Sequence, residues 1–376
     1  MTATESFQSG SPLPIESIAP QLRPLALRTS PHAVRDRISR GMVPAPPDIL
    51  VPALVYLLQD PEEIIRKGAR DTLLAMPTSL LLPVVQAAAD PGVLDGLARV
   101  LYKSDEACRV IALNAATADD TIRYLAGVAA SATCETIGRN QVRAMRYPAI
   151  VEAIYLNPRA GHGVVQALLD LAVRSALPLE HMPGFREAKA LLLGEEKDDT
   201  AGGGLSDMEF ASALLMASGQ DAPAATATAE VLDEKKASTL QSLIQRMSVS
   251  QKVRMASVGD ASVRKLLIRD PKKIVAFAVL RSPRLTEGEV TNFAGNKALS
   301  EDIISMIARN RVWTKDYATR RALVFNPKTP LPVSLGYLRS MHAKDLKDAS
   351  ISRDINGTVQ RAAKRMIVQS NAPKKK

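Results

Sequence analysis

A short basic segment in the C-terminal third of the chain combines residue types and spacings that could bind a polyanion. Five cations lie within thirteen residues: Arg309, Arg311, Lys315, Arg320 and Arg321. Trp313 and Tyr317 lie among them, and Arg361 and Arg365 follow as further candidate contacts. Cations of this kind hold a phosphate backbone electrostatically, and aromatic rings can stack against bases. The segment therefore predicts a site for an acidic protein partner or for a nucleic acid.

The same residues also have a structural interpretation. Trp313 and Tyr317 are four residues apart, so both can lie on one helix face and cover an apolar seam between helices. Arg309 has a counterpart in Arg139 of an earlier segment, and cations near a helix C-terminus can bind its last carbonyls. A solvated basic face therefore stands beside the two binding hypotheses.

Motifs that mark common enzyme sites are missing from the sequence. It contains no phosphate-binding G-x-x-x-x-G-K-[ST] loop, no G-x-S-x-G, no H-E-x-x-H and no C-x-x-C. The glycine run 202–204 follows acidic residues and has the composition of a linker. We therefore expect a protein without catalytic activity, bound metal or cofactor.

Composition favours a helical, cytoplasmic protein. Apolar residues make up 46% of the chain, but aromatic residues only 4%. Short aliphatic side chains suit packed helices better than a β-sandwich. No apolar run approaches the ~18 residues of a membrane span, and the first residues lack the pattern of a signal peptide. Two cysteines are too few for a disulfide framework, so we expect reduced thiols.

The chain repeats itself at an offset of about 170 residues. Arg139-Asn140 corresponds to Arg309-Asn310, and Asn157-Pro158 corresponds to Asn326-Pro327. An Asn or Ser side chain at such a boundary is expected to bind the free N–H groups of the next helix, where Pro also fits.

Shorter spacings within each half indicate the length of one unit. Asn114 and Asn157 are 43 residues apart, and Ser282 and Asn326 are 44 residues apart. These spacings are close to those of HEAT repeats. The sequence therefore predicts an all-α fold, an α-solenoid of HEAT-like helical hairpin repeats in two duplicated modules.

Charge and composition divide the predicted domains. Residues 191–234 carry one Lys and ten acids, whereas 235–376 carry 29 basic residues and ten acids. The predicted organisation is a flexible N-terminal segment at 1–30, a first helical-repeat module at 31–193, an acidic linker at 194–236, a basic second module at 237–370 and a basic tail at 371–376.

A helix is predicted inside the acidic linker, at 205–218. Ser206 and Glu209 have the spacing of a capping box. The candidate docking residues on this helix are Met208, Phe210, Leu214 and Leu215. An amphipathic helix in a linker can dock into a partner's groove, or it can pack on its own chain as an ordinary helix.

The second half resembles an uncharacterised bacterial family of α-helical repeats, similar to HEAT and leucine-rich-variant solenoids. The resemblance is carried by LLIRDPKKIVAFAVLRSPRLTEGEV, IARNRVWTKDYATRRALVFNPKTPLPVSLGYL and DLKDASISRDI, and the first half is similar only as a diverged copy. Leucine-rich-variant proteins can hold an iron–sulfur cluster on a group of cysteines, which this sequence lacks. The resemblance implies the fold and no catalytic residue.

Together these features predict a cytoplasmic, non-catalytic scaffold or adaptor. Its protein partner would be acidic, or would receive the helix at 205–218. The alternative function is nucleic-acid binding by the basic second module.

Overall fold

All regular structure in the described part of the chain is helical. The computed structural model describes residues 13–194, 204–218 and 239–371, and no strand occurs within these ranges. The prediction of an all-α fold is confirmed. Internal contacts divide the chain into two compact units, Met1–Leu179 and Glu180–Lys376, called unit 1 and unit 2 below. Within the described ranges, none of the helices has the length and apolarity needed to cross a bilayer.

Unit 1 is built from short helices that pack on neighbours one or two positions along the chain. They are α1 Arg23–Ala26, α2 His32–Ser39, α3 Pro47–Leu57, α4 Glu63–Ala75, α5 Thr78–Ala87, α6 Pro91–Leu101, α7 Asp105–Leu113, α8 Asp119–Val128, α9 Ser131–Arg139, α10 Gln141–Arg146, α11 Ala149–Leu156 and α12 His162–Arg174. Helix α7 packs on α5, α6 and α9, and α8 packs on α6, α9 and α11. Helices α7 and α8 therefore each contact the helix before them and the helix two positions earlier.

Unit 2 follows the same packing scheme. Its helices are α13 Phe185–Leu192, α14 Asp207–Ser218, α15 with described residues 239–246, α16 Val249–Val258, α17 Ala261–Leu267, α18 Lys273–Leu280, α19 Glu287–Gly295, α20 Glu301–Arg309, α21 Tyr317–Val324, α22 Leu331–Leu338, α23 Ala343–Ile351 and α24 Gly357–Asn371. Helix α18 packs on α16, α17 and α20, and α19 packs on α20 and α21.

Local sequence explains where the helices begin and which face is buried. Ser104 accepts a hydrogen bond from the Ala107 N–H and caps α7, as predicted for Ser before an acidic first turn. In α4, Ile65, Ala69 and Leu73 are four residues apart, and all three are buried. Their common stripe is the helix face that packs against the rest of the unit.

In unit 1, a boundary asparagine ties neighbouring helices together. Asn157 is buried and follows the last residue of α11. Its amide donates to the carbonyls of Ala126 and Ala129 at 2.8 and 2.9 Å, and its Oδ1 accepts the Arg159 N–H at 2.9 Å. The predicted boundary is therefore present, but Asn157 binds carbonyls of the preceding hairpin instead of the N–H groups of the next helix. An amide side chain can bind these carbonyls and the Arg159 N–H at once, because it carries donors and an acceptor.

The equivalent position in unit 2 makes the same contacts. Asn326 donates to the carbonyls of Ala294 and Asn296 at 2.8 and 3.3 Å, and its Oδ1 accepts the Lys328 N–H at 3.0 Å. Two further boundary residues bind both the preceding helix pair and the N–H two residues on; they are Asn114 and Ser282. These side chains satisfy the free carbonyls at helix ends.

The domain limits differ from the predicted ones at two places. Helix α13 lies in unit 2, not in the first module, because it packs on α16 and α18 and its buried Glu187 accepts a hydrogen bond from Arg281. At the N-terminus, the described residues 13–30 of the predicted flexible segment include buried side chains. Leu13, Ile18 and Leu22 are buried there, because their apolar side chains pack into the core of unit 1.

Parts of the predicted linker and both chain ends lie outside the described residues. These are residues 1–12, 195–203, 219–238 and 372–376. They include most of the predicted acidic linker and nearly all of the basic tail.

Candidate interaction surfaces

The turn after α20 in unit 2 displays three of the predicted cations. Helix α20 ends at Arg309, and the Asn310 Oδ1 accepts the Val312 N–H at 2.9 Å, which folds the chain into a short 3-10 helix. Arg309, Arg311 and Lys315 are exposed, and Val312 between them is 63% exposed. We call residues 309–315 the basic turn.

The cations of the basic turn are not neutralised by neighbouring carboxylates. No ion pair or hydrogen bond joins the side chains of Arg309, Arg311 or Lys315 to another described residue. The next carboxylate along the chain, Asp316, caps α21 by accepting the Thr319 N–H at 3.0 Å. The basic turn therefore presents uncompensated positive charge around an exposed apolar side chain.

Arg320 and Arg321 have structural contacts instead. The Arg321 Nε donates to Asp345 at 2.7 Å, and the Tyr317 hydroxyl donates to the same carboxylate. Hydrogen bonds from Tyr317 and Arg321 hold the pKa of the Asp345 carboxyl below its usual range. Arg320 lies over the Tyr317 ring at 5.8 Å and reaches the Ser340 hydroxyl at 3.4 Å. These two arginines connect α21 to the following helices, so they are less available to a partner.

The two aromatic side chains of the segment are also engaged. Trp313 is half-buried against the apolar core of unit 2. The Tyr317 ring lies 4.3 Å from the His342 ring, centroid to centroid, in addition to its bond with Asp345. The structure therefore agrees with the interpretation that these rings cover a seam between helices, since both pack against other side chains of unit 2.

Arg361 and Arg365 lie on α24, on an element separate from the basic turn. Both are exposed, and Arg361 makes one long hydrogen bond to the Thr358 hydroxyl at 3.4 Å. Val368 on the same helix is 70% exposed. No described side-chain contact brings this group together with the basic turn.

The predicted helix at 205–218 is present as α14, and its capping box is confirmed. The Glu209 N–H donates to the Ser206 hydroxyl at 3.4 Å, and the Ser206 N–H donates to the Glu209 carboxylate at 3.1 Å. Gln251 anchors the start of this helix by bonding both the N–H and the carbonyl of Leu205, at 3.0 and 2.8 Å. Helix α14 is thus fixed to α16.

The candidate docking residues of α14 divide between core and surface. Phe210 and Leu214 are fully buried in the core of unit 2, and the Arg254 guanidinium lies 5.7 Å from the Phe210 ring. Leu215 is half-buried, and only Met208 is widely exposed, at 84%. Packing on its own chain is the arrangement that the structure shows, because these apolar side chains complete the apolar core around α16. In this arrangement Phe210 and Leu214 are closed to a partner.

Unit 1 contains a counterpart of the basic turn, of which the sequence indicates Arg139-Asn140 but not the exposed valine and groove beside them. Helix α9 ends at Arg139, and the Asn140 Oδ1 accepts the Arg143 N–H at 3.1 Å to start α10. Val142 is 72% exposed and lines a surface groove of ≈ 370 Å³ together with Leu113, which is also 72% exposed. The sequence Arg-Asn-x-Val occurs at 139–142 and again at 309–312. This repetition indicates the counterpart only when the exposure of the two valines is known.

Charge in the groove is partly neutralised by one carboxylate. Asp119 accepts hydrogen bonds from the Arg143 Nε at 2.8 Å and the Arg146 Nη2 at 2.7 Å. The bond from Arg146 lowers the pKa of the Asp119 carboxyl more than partial burial raises it, and Arg143 adds to the effect. Arg143 also donates to the Thr117 carbonyl. One carboxylate faces two guanidinium groups, so the groove keeps a positive charge.

No match to this chain exists among protein-family models, curated proteins or solved structures. Among the residues that the structure describes, no group of three or more His, Cys, Asp or Glu side chains could hold a metal ion. We therefore infer the function from the two surfaces described above, the basic turn and the groove of unit 1.

Proposed function

We propose that the protein is a non-catalytic interaction scaffold or adaptor that binds acidic protein partners on an α-solenoid surface. Two features support HEAT-like hairpin repeats in two duplicated modules. Helices pack on the helix two positions earlier in the chain, and Asn157 and Asn326 make equivalent hydrogen bonds to preceding helices. Each hairpin in such an array buries one face on its neighbour and leaves the turns exposed for binding. Free thiols at Cys108 and Cys134 support a reducing compartment, the cytoplasm.

The basic turn of unit 2 is the observation that carries this proposal. Its cations surround Val312, an exposed apolar side chain that the fold does not bury. A phosphate backbone attracts cations but gains nothing from contact with a valine side chain. Protein interfaces, in contrast, combine an apolar centre with a polar rim. The combination therefore favours an acidic protein surface with an apolar residue.

The charge of the second half favours nucleic-acid binding as the second candidate. Residues 235–376 carry 29 basic residues against ten acids. Binding would then be electrostatic and its affinity would fall steeply with salt. Base stacking would contribute little, because Trp313 and Tyr317 are engaged within the fold.

Affinity capture of the tagged full-length protein, from cells that express it naturally, tests the proposal. We expect a discrete protein partner that survives nuclease treatment and is lost with the double variant Arg309→Glu, Arg311→Glu. The variant Val312→Ser should weaken capture without changing charge. The matched control is Lys344→Glu with Lys347→Glu, which reverses two exposed cations elsewhere in unit 2.

Two outcomes would contradict the proposal. If nuclease removed every bound component, the nucleic-acid function would replace it. If the control variant lost the partner as completely as the Arg309 and Arg311 variant, binding would depend on total charge and not on the basic turn.

A further inference from the structure

We propose that unit 1 carries a second binding site for the same class of partner. Each chain would then engage two acidic protein segments, each inserting one apolar side chain beside a valine. This inference rests on the proposed function, because it extends the site at the basic turn to its counterpart in unit 1. The partner segment would be acidic with one apolar side chain, and each chain would bind two such segments.

The two sites occupy equivalent positions in the internal repeat. Arg139, Asn140 and Val142 correspond to Arg309, Asn310 and Val312 at a constant offset of 170 residues. In both units a helix ends at the arginine, and the asparagine Oδ1 accepts a backbone N–H of the turn that follows. The hydrogen bonds differ in register, because Asn140 accepts the Arg143 N–H at the start of α10 and Asn310 accepts the Val312 N–H before a 3-10 helix. Each valine nevertheless lies two residues after the asparagine and is exposed, at 72% and 63%.

The groove in unit 1 has the shape and lining for an apolar side chain. Leu113 at the end of α7 and Val142 at the start of α10 line the open groove, together with the buried Ile137 of α9. Leu113 and Val142 are each 72% exposed, and a bound partner would remove their apolar surface from water. Polar residues, among them Thr136, Asn140 and Arg143, line the rest of the groove. An open groove that combines apolar side chains with cations suits a short segment of another protein.

Charge complementarity defines the rest of the partner's chemistry. Arg139 is exposed beside the groove, and the Arg146 side chain is 64% exposed although it pairs with Asp119. Cations outnumber carboxylates here, as they do around Val312. The fitting occupant is therefore an acidic protein segment with one protruding apolar residue, and not a basic or purely apolar one.

Two equivalent sites on one chain would increase affinity for a partner with repeated segments. The second binding event becomes intramolecular once the first has occurred, and its effective concentration is set by the tether. A scaffold of this kind would bind single segments weakly and paired segments strongly.

Methyl NMR of the full-length protein tests the inference directly. The probe is a capped peptide in which a single leucine is flanked by glutamates, and the matched peptide carries serine in place of leucine. We expect the methyl signals of Val142 and Val312 to shift and saturate with the leucine peptide. The serine peptide should bind at least several-fold more weakly at both valines.

Variants assign each site independently. After Val142→Ser, the Leu113 methyl signals report on the unit 1 groove; they should no longer shift, and the Val312 titration should be unchanged. Val312→Ser should leave the titrations of Val142 and Leu113 unchanged. The control is Val368→Ser, which removes an equally exposed valine beside cations on α24 and should change neither titration.

The outcomes separate this inference from the function on which it rests. A shift at Val312 alone would overturn the second site and keep the scaffold function. Equal binding of the serine peptide, or no shift at either valine, would overturn both. Stronger shifts with a single-stranded oligothymidylate than with the leucine peptide would replace the acidic segment with a nucleic acid at that surface.

Discussion

The turns after α9 and α20 both begin with Arg-Asn and expose a valine two residues after the asparagine, but their cations have different partners. In unit 1, Arg143 and Arg146 converge on Asp119 and form one side of a groove. In unit 2, the cations of the basic turn have no described carboxylate partner. The exposed valine is therefore common to both turns, while the electrostatics around it differ. We expect buried contacts, and not these turns, to stabilise each unit.

The largest expected effect concerns a buried ion pair of unit 1. Arg35 and Asp60 pair with side-chain exposures of 6% and 1%. Replacing Asp60 with Ala leaves the buried guanidinium paired only with the partly exposed Glu62, which is expected to cost about 3 kcal/mol in the free energy of unfolding. Urea unfolding followed by circular dichroism measures this loss.

The exposed pair of Asp36 and Arg40 provides the control. Its arginine side chain is 52% exposed, so Asp36→Ala should change stability by no more than ~1 kcal/mol. Similar losses in the two variants would show that buried pairs do not dominate the stability of unit 1.

A smaller effect is expected from the boundary asparagines, which make the same contacts in both units. Asn157→Ala and Asn326→Ala each leave buried carbonyls without a donor, at a cost of about 1–3 kcal/mol. Urea unfolding measures both losses. In the control Asn140→Ala, only an exposed cap is removed, and a loss of roughly 1 kcal/mol or less is expected. A loss in one unit only would break the equivalence of the two repeats.

Acid should affect the two turns differently. The pKa of Asp119 is lowered in the folded state, so its contribution to stability is present above the ordinary Asp value of about 4 and is lost as the pH falls through the folded pKa. The Val142 methyl signals should therefore change in that acid range, and Asp119→Asn should remove the change. An acid response at Val312 would belong to Asp316, four residues on, whose pKa is lowered by the hydrogen bond from the Thr319 N–H. A change at Val142 that persists in Asp119→Asn would contradict the assigned role of Asp119.

The smallest expected effect is slow thiol chemistry, and it reports on unit 1 alone. Cys108 and Cys134 both lie in unit 1 and are fully buried. Burial raises the pKa of the Cys108 thiol to about 12, so almost no thiolate exists at neutral pH. Ellman's reagent should react with neither thiol in the native protein and with both in denaturant. Rapid reaction in the native state would show that unit 1 opens readily.

Sequence periodicity predicted the helical class and the boundaries well, because apolar spacing and Asn-Pro punctuation are local signals. The function of Asn157 was less accessible, since its carbonyl partners are about thirty residues away in the chain. The sequence does not indicate the unit to which α13 belongs, because α13 has an ordinary amphipathic pattern. Only its contacts with α16 and α18 assign it to unit 2.

The candidate site was predicted in part, for a physical reason. Charge is visible in a sequence, so Arg309, Arg311 and Lys315 were found and are exposed. Pairing is not visible, and Arg321 proved to bind Asp345. Burial was also ambiguous for α14, where Phe210 and Leu214 suit a partner's groove and their own core equally well. Exposed valines carry no local signal at all, so Val142 and the groove beside it were missed.

Site-specific photo-crosslinking at position 312, in cells that naturally express the protein, tests the central claim most directly. A photoreactive phenylalanine analogue replaces Val312, and position 368 carries the same analogue as the control. We predict a discrete protein adduct at position 312 that survives nuclease and disappears when Arg309→Glu and Arg311→Glu are added. An adduct consisting of nucleic acid, or identical adducts at positions 312 and 368, would contradict the claim that the basic turn binds an acidic protein partner.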